Sequence, residues 1–232
     1  MSDEPPRFDP AGFAELPDKL ALGQLPPGRH GLPRSFVVRN QRLRIVSALM
    51  RMLPQHGYAG TTIGHITREA RVSRQAFYRQ FAGKEECFLE AYDLGSQWLC
   101  EGVEAEVVEE PWPGRVRIGV GEILRLLAAN PHLAHLIAIE AVQAGSAARK
   151  RQQASLARLA EIFGRGRPDR PELPVDLEQL LIGGALSVLV RHVENSKIEQ
   201  LPEIETALVE CLLIPYLGAA KSKRIADARY TF

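Results

Sequence analysis

The chain has 232 residues, 45% of them hydrophobic and 25% charged, and a formal net charge of +1. This is an ordinary globular composition with length for one large or two small domains, and near-neutrality by itself argues against a nucleic-acid binder. Cys87, Cys100 and Cys211 are an odd number, widely spaced and without a CxxC pair, which favours reduced thiols over a disulfide framework.

Residues 1–33 open with the acidic, proline-broken MSDEPPRFDP, which is no signal peptide, and no apolar run in the chain approaches bilayer length. The expected location is the cytoplasm. Four prolines and three glycines in PDKLALGQLPPGRHGLP make this stretch an extended arm. A first helix is expected from about Ser35 to His56, with Leu43, Val46, Leu49, Met50 and Leu53 as its apolar stripe, Pro54 straining its last turn and Gly57 as its stop. A second opens after Thr61-Thr62, either of which could cap it, and buries Ile63, Ile66 and Ala70.

A third helix, starting near Ser73 as its cap, is the most informative segment. At 3.6 residues per turn, Arg74, Gln75, Tyr78 and Arg79 fall on one side, and Ala76, Phe77, Gln80 and Phe81 on the other. A helix that buries the two Phe rings presents two guanidiniums, an amide and a phenol outward. Arg can bind guanine through two hydrogen bonds and Gln can do the same with adenine, the pattern of a helix-turn-helix recognition helix. Charge agrees. Arg34 to Lys84 holds ten basic residues and one acid, Glu69, and so carries +9, whereas residues 1–33 carry −2 and 85–232 carry −6. One basic module on an otherwise acidic chain confines the footprint for phosphate to that module.

Beyond Gly83 the pattern is of long helices with brief breaks: Lys84 to about Val108, Gly114–Ala129, Pro131 to near Gly145, Ser146–Phe163, Val175–Asn195 and Pro202–Leu217. No segment alternates with period two. The expected fold is all-α, a three-helix helix-turn-helix head followed by a larger helical body: arm 1–33, DNA-binding domain 34–83, body 84–220 and tail 221–232. The apolar helix around Leu180–Val190 and the stripe of the next helix suggest a homodimer interface through Gly183, Gly184, Leu186, Val190, Ile204, Leu208 and Leu212.

Arg44–Tyr92 resembles the DNA-binding domain of the TetR family of one-component transcriptional regulators. The resemblance rests on a first helix ending before HGYAGTT, the I-x-x-I-T-x-E-A helix, V-S-R-Q-A-F-Y-R-Q-F and the Lys-Glu-Glu opening of the next helix. One departure is Arg71, at a turn that carries Gly in the family; a left-handed backbone there is costly for Arg. The resemblance implies that Thr62, Arg71, Ser73, Arg74, Gln75, Tyr78, Arg79 and Lys84 approach a double-stranded, palindromic operator. Apart from it, Gly28-Arg29-His30-Gly31 just before the head reads either as a solvated linker or as a basic arm whose Arg29, with Arg34, enters the minor groove as such arms do in other helix-turn-helix proteins. The resemblance also implies a homodimeric body enclosing a small lipophilic or amphipathic effector that releases a repressor from DNA.

Polar or aromatic residues inside apolar helices are the effector-site candidates: Trp98, His132, His135, Glu140, Gln143 and His192, with Ile139 beside them. Of these, Trp98, His135, Ile139 and Gln143 are the expected effector contacts. His132 and His135 share a helix face but no third metal ligand is spaced to join them. Arg165-Gly166-Arg167-Pro168 resembles the core of an AT-hook, yet sits among acids between body helices and is read as a loop. No phosphate-cradling Gly loop, nucleophile elbow or metal cluster is present, so neither an enzyme nor a cofactor or membrane partner is expected. The competing function is an architectural DNA-binding protein without an effector.

Overall fold

The structure is a computed structural model that describes residues 34–228, with side chains from Val38 onward. The arm with Arg29 lies outside the described residues, as does the side chain of Arg34, so the minor-groove expectation falls outside them too. Among the described residues there is no strand, and none of their helices is long and apolar enough to cross a membrane. They divide into two compact units, the first ending at Ala91 and the second starting at Tyr92.

In the first unit α1 spans Arg34–Gly60, α2 Ile63–Ala70 and α3 Arg74–Tyr78. The regular course of α1 ends at Gly57, whose φ of 62° is cheap only for a residue without Cβ. Ile45, Leu49 and Leu53 of α1, Ile66 of α2, and Phe77 and Phe81 form a core with no more than 1% exposure each. Ile63, expected in this core, is half-buried.

The boundary differs from the expected 83/84 division because α4, Lys84–Val107, starts inside the head. Cys87 and Phe88 are fully buried there, Phe88 meets Tyr58 edge-on at 5.0 Å, and Arg42 binds Glu90 through Nε at 2.7 Å. The first two turns of α4 are therefore the fourth wall of the head core.

The second unit continues α4 and adds α5 Trp112–Ala129, α6 Pro131–His135, α7 Ala141–Gln143, α8 Ser146–Gly164, α9 Leu177–Glu194, α10 Glu205–Leu217 and α11 Ala219–Ala226. Between α6 and α7 the backbone widens into a π turn, Leu136–Glu140, which the apolar periodicity did not announce. A 3-10 segment, Ile198–Ile204, leads into α10, so the last long helix starts three residues later than Pro202. The expected tail at 221–232 is also corrected. Residues through Ala226 form α11, which buries Ser222 and Ala226.

Candidate DNA-reading face and effector cavity

The outward face is built by caps and core together. Thr62 Oγ1 accepts from the His65 amide at 3.1 Å and starts α2. Ser73 Oγ accepts from the Ala76 amide at 3.1 Å and starts α3. Each bond satisfies an amide that a helix N-terminus leaves without partner. Between them Arg71 takes the left-handed conformation, φ 52° and ψ 49°, the strained geometry its departure from Gly implied. Its amide bonds the Arg68 carbonyl at 3.1 Å, and the Arg44 guanidinium donates to the carbonyls of Ala70 and Arg71 from α1. Burial and the neighbouring Arg71 charge pull Arg44 below its ordinary value. Arg44 thus holds the turn whose backbone Arg71 strains, a role the sequence did not reveal.

α3 is only five residues long, but Phe81 continues its turn by bonding the Phe77 carbonyl at 3.0 Å. Phe77 and Phe81 stack at 5.6 Å with the guanidinium of Arg42 4.2 Å from the Phe81 centroid. With these rings inward, Arg74, Gln75, Tyr78 and Arg79 are all exposed, Tyr78 by 57%. The Tyr78 ring meets Phe77 edge-on, with centroids 5.6 Å apart, and leaves the rest of its surface to solvent.

Not all of the +9 faces outward. Arg42 and Arg44 are engaged as described, and Arg51 binds the module's only acid, Glu69, at 2.7 Å. Arg39, Arg68, Arg71, Arg74 and Arg79 remain exposed. Lys84 is half-buried: its ammonium donates to the carbonyls of Tyr58 at 2.6 Å and Thr61 at 2.8 Å and lies 4.2 Å from the Tyr58 ring centroid. Burial lowers its pKa. Two of its three N–H groups therefore tie the start of α4 to the end of α1 and to the residue that follows it.

In the second unit α5, α8, α9 and α10 enclose an apolar cavity of about 120 Å³ with essentially no polar lining; Leu99, Leu124, Ile137, Leu159, Leu186 and Leu208 are among its walls. A smaller pocket of about 60 Å³ follows, between Trp112, Phe163, Arg167, Glu178, Ile182 and Tyr216. A separate polar cleft of about 520 Å³ is lined by Glu106, Arg117, Glu122, Arg125 and Glu205. Its charges largely answer one another: Glu122 holds Arg125 through two bonds of 2.7 and 2.6 Å. Burial raises the pKa of Glu205, with Arg117 opposing.

Residues 45–91 match the family of bacterial regulatory proteins known as the tetR family. The head is a tetR-family DNA-binding domain. Solved structures extend the likeness of fold over most of the chain. FadR from Bacillus subtilis in complex with stearoyl-CoA superposes with a TM-score of 0.64 at 19% identity, covering 76% of this chain and 98% of that one. FadR from Bacillus halodurans gives 0.66 at 19%, covering 75% and 94%. PfmR from Thermus thermophilus gives 0.57 at 16%, covering 82% and 98%. No curated protein matches the chain.

Behind this tetR-family head, the expected effector residues do not meet at the apolar cavity. Trp98 is buried, His135 and Ile139 are half-buried, Gln143 is exposed, and none of the four lines it. Burial and the neighbouring His132 lower the His135 pKa. The cavity takes their neighbours instead, Leu99 and Ile137. Polar residues within apolar helices do not mark a site whose walls are aliphatic side chains. Among the described residues no three His, Cys, Asp or Glu side chains gather as a metal site requires.

The expected interface residues divide as well. Leu186, Leu208 and Leu212 line the cavity, and Val190 and Ile204 are half-buried. Gly183 and Gly184 are exposed, and a Cβ on either would meet nothing within 4 Å. Leu180, 69% exposed, and Ser187 continue that side of α9, while Ala207, Cys211 and Ile214 are exposed along α10. The AT-hook-like segment is a loop whose Arg165 and Arg167 pair with Glu104 and Glu178. Burial holds Cys100 protonated, with its pKa pushed up to about 11, and raises Cys87 further, so neither is a poised redox thiol.

Proposed function

We propose that this tetR-family protein is a sequence-specific repressor that binds a palindromic operator as a homodimer and leaves it when a small molecule with an apolar chain enters the body. The observation that carries the DNA half is the outward set Arg74, Gln75, Tyr78 and Arg79 fixed over fully buried Phe77 and Phe81. Arg74 and Gln75 read base edges; Tyr78, Arg79 and the remaining N–H of Lys84 take phosphates, and Arg71 and the N-terminal turns at Thr62 and Ser73 stand beside them. The cavity favours a sensor over an effector-independent architectural protein, whose body would have no need of it. Stearoyl-CoA, bound by the Bacillus subtilis relative, is the natural first compound to try.

The dimer reading is supported by the outward Leu180, Gly183, Gly184 and Ser187 of α9 and Ala207, Cys211 and Ile214 of α10, two small or apolar stripes facing solvent in the single chain. Leu180→Glu is expected to give monomers of unchanged helicity that lose the palindromic site. Leu186→Glu or Leu208→Glu would instead place charge in the cavity wall and unfold the body. Sedimentation of the wild type as a monomer at micromolar concentration contradicts the dimer.

Half-sites lie about one DNA turn, roughly 34 Å, apart and tolerate little misspacing. A ligand that binds one spacing of the two heads better than the other shifts the equilibrium by that difference alone. Coupling of about 1–3 kcal/mol lowers operator affinity about 5–150-fold. The test is a titration into the protein–operator complex, at fixed salt, of any compound that raises the melting temperature. A compound that stabilises the protein and leaves operator affinity unchanged is not its effector.

A further inference from the structure

The two apolar spaces of the body are consecutive lengths of one channel. Along α5 the lining runs from Trp112 and Val116 in the smaller pocket to Val120, Leu124 and Leu127 in the larger, and α9 runs the same way from Glu178 to Leu189. α8 and α10 run in reverse, from Leu156 to Gly164 and from Leu208 to Tyr216. Four helices thus surround both spaces in the same order, and only Phe163, Ile182 and Leu212 wall both.

Phe163 is the partition with a place made for it. Gly119 lies on α5 between Val116 and Val120, where a Cβ would overlap Phe163 Cε1 and stand 3.1 and 3.2 Å from Cζ and Cδ1. The ring therefore rests in the niche of a missing side chain. Neither space, at about 120 and 60 Å³, nor the two together, reaches the about 300–1,000 Å³ usual for a ligand site while the Phe163 ring stands between them. An elongated ligand needs both, and so needs the ring out of its niche. The outer end is polar: Arg167 pairs with Glu178 and stands 5.6 Å from the Tyr216 ring centroid, while Arg170 donates to the Tyr216 carbonyl at 3.0 Å. Two guanidiniums converge there on one aromatic residue.

We propose that Phe163, seated against Gly119, is a gate across a channel for a single unbranched aliphatic chain with an anionic head. The head displaces Glu178 from Arg167, and the chain passes into the inner cavity only when the Phe163 ring leaves its niche. This rests on the apolar-effector reading above and adds the ligand's shape, its direction and the residue that sets its length dependence. Displacing the ring is a conformational tax on every chain long enough to pass it.

The experiment measures, by fluorescence displacement with thermal shift as a check, the binding of sodium octanoate, decanoate, myristate and palmitate to full-length wild type, Phe163→Ala, Phe163→Leu and Arg167→Ala. Phe163→Ala should bind myristate and palmitate about tenfold more tightly, the gain from removing a closed state populated about nine-tenths of the time, and octanoate no better. Phe163→Leu, a milder change should the Ala variant misfold, should give a smaller gain with the same length dependence. Arg167→Ala should weaken all four salts alike. A gain uniform in length, or none in either Phe163 variant while the chains still bind, overturns the gate. Arg167→Ala without effect overturns the direction. No binding of any salt to any of the proteins overturns the apolar-effector reading itself.

Discussion

Phe77→Ala is expected to cost the head about 3–5 kcal/mol, the usual loss for a fully buried Phe, and with it most operator binding. Phe77 has no exposed surface, stacks on Phe81 at 5.6 Å and carries the only full turn of α3. That loss is a large fraction of the about 5–15 kcal/mol by which a domain is stable. Heating followed by circular dichroism should show part of the helical signal lost at lower temperature, while the compact unit from Tyr92 onward melts as in the wild type. Tyr78→Phe, one residue on and mostly exposed, should change stability by less than about 0.5 kcal/mol and still weaken DNA binding. A Phe77→Ala protein with wild-type melting would mean that α3 is not held by its buried face.

Arg74→Ala and Gln75→Ala should behave differently, leaving the fold intact and relaxing base preference by about 1–3 kcal/mol each. Both side chains are exposed, and neither has a hydrogen-bonding role in holding α3, whose cap belongs to Ser73. Arg79→Ala and Tyr78→Phe should weaken all sequences by similar factors, and Arg79→Ala should also flatten the salt dependence, as loss of a phosphate contact does. Lys84→Ala is a less clean probe. Its ammonium holds the Tyr58 and Thr61 carbonyls, so the variant loses stability along with any phosphate contact. If Arg74→Ala and Gln75→Ala weakened every duplex equally, the two residues would be phosphate contacts and base reading would lie elsewhere.

What the sequence made legible depended on local rules. The caps at Thr62 and Ser73, the inward Phe77 and Phe81 and the outward Arg74–Arg79 face follow from helical spacing and short-range hydrogen bonds, and the structure reproduces them. The left-handed backbone at Arg71 was also visible, as an oddity of residue type. What needed coordinates was tertiary. The Arg42–Glu90 pair and Phe88 draw the start of α4 into the head, and no linker composition marks that boundary. Leu186 and Leu208 look like interface leucines by pattern, yet periodicity cannot tell a helix face turned to a cavity from one turned to a partner. The cavity itself is lined by aliphatic residues that read as core, and polar residues such as Gln143 and His135 lie outside its lining.

The central claim is that exposed side chains of α3 read a specific DNA sequence. Selection of bound duplexes from a random pool by the full-length protein, at fixed near-physiological salt, tests it most directly. The account predicts recovery of one inverted repeat with half-site centres about one DNA turn apart, and loss of preference at defined positions of each half-site when the selection is repeated with Arg74→Ala and Gln75→Ala. Recovery of no common sequence, with affinity set by salt alone and unchanged in those two variants, would contradict it.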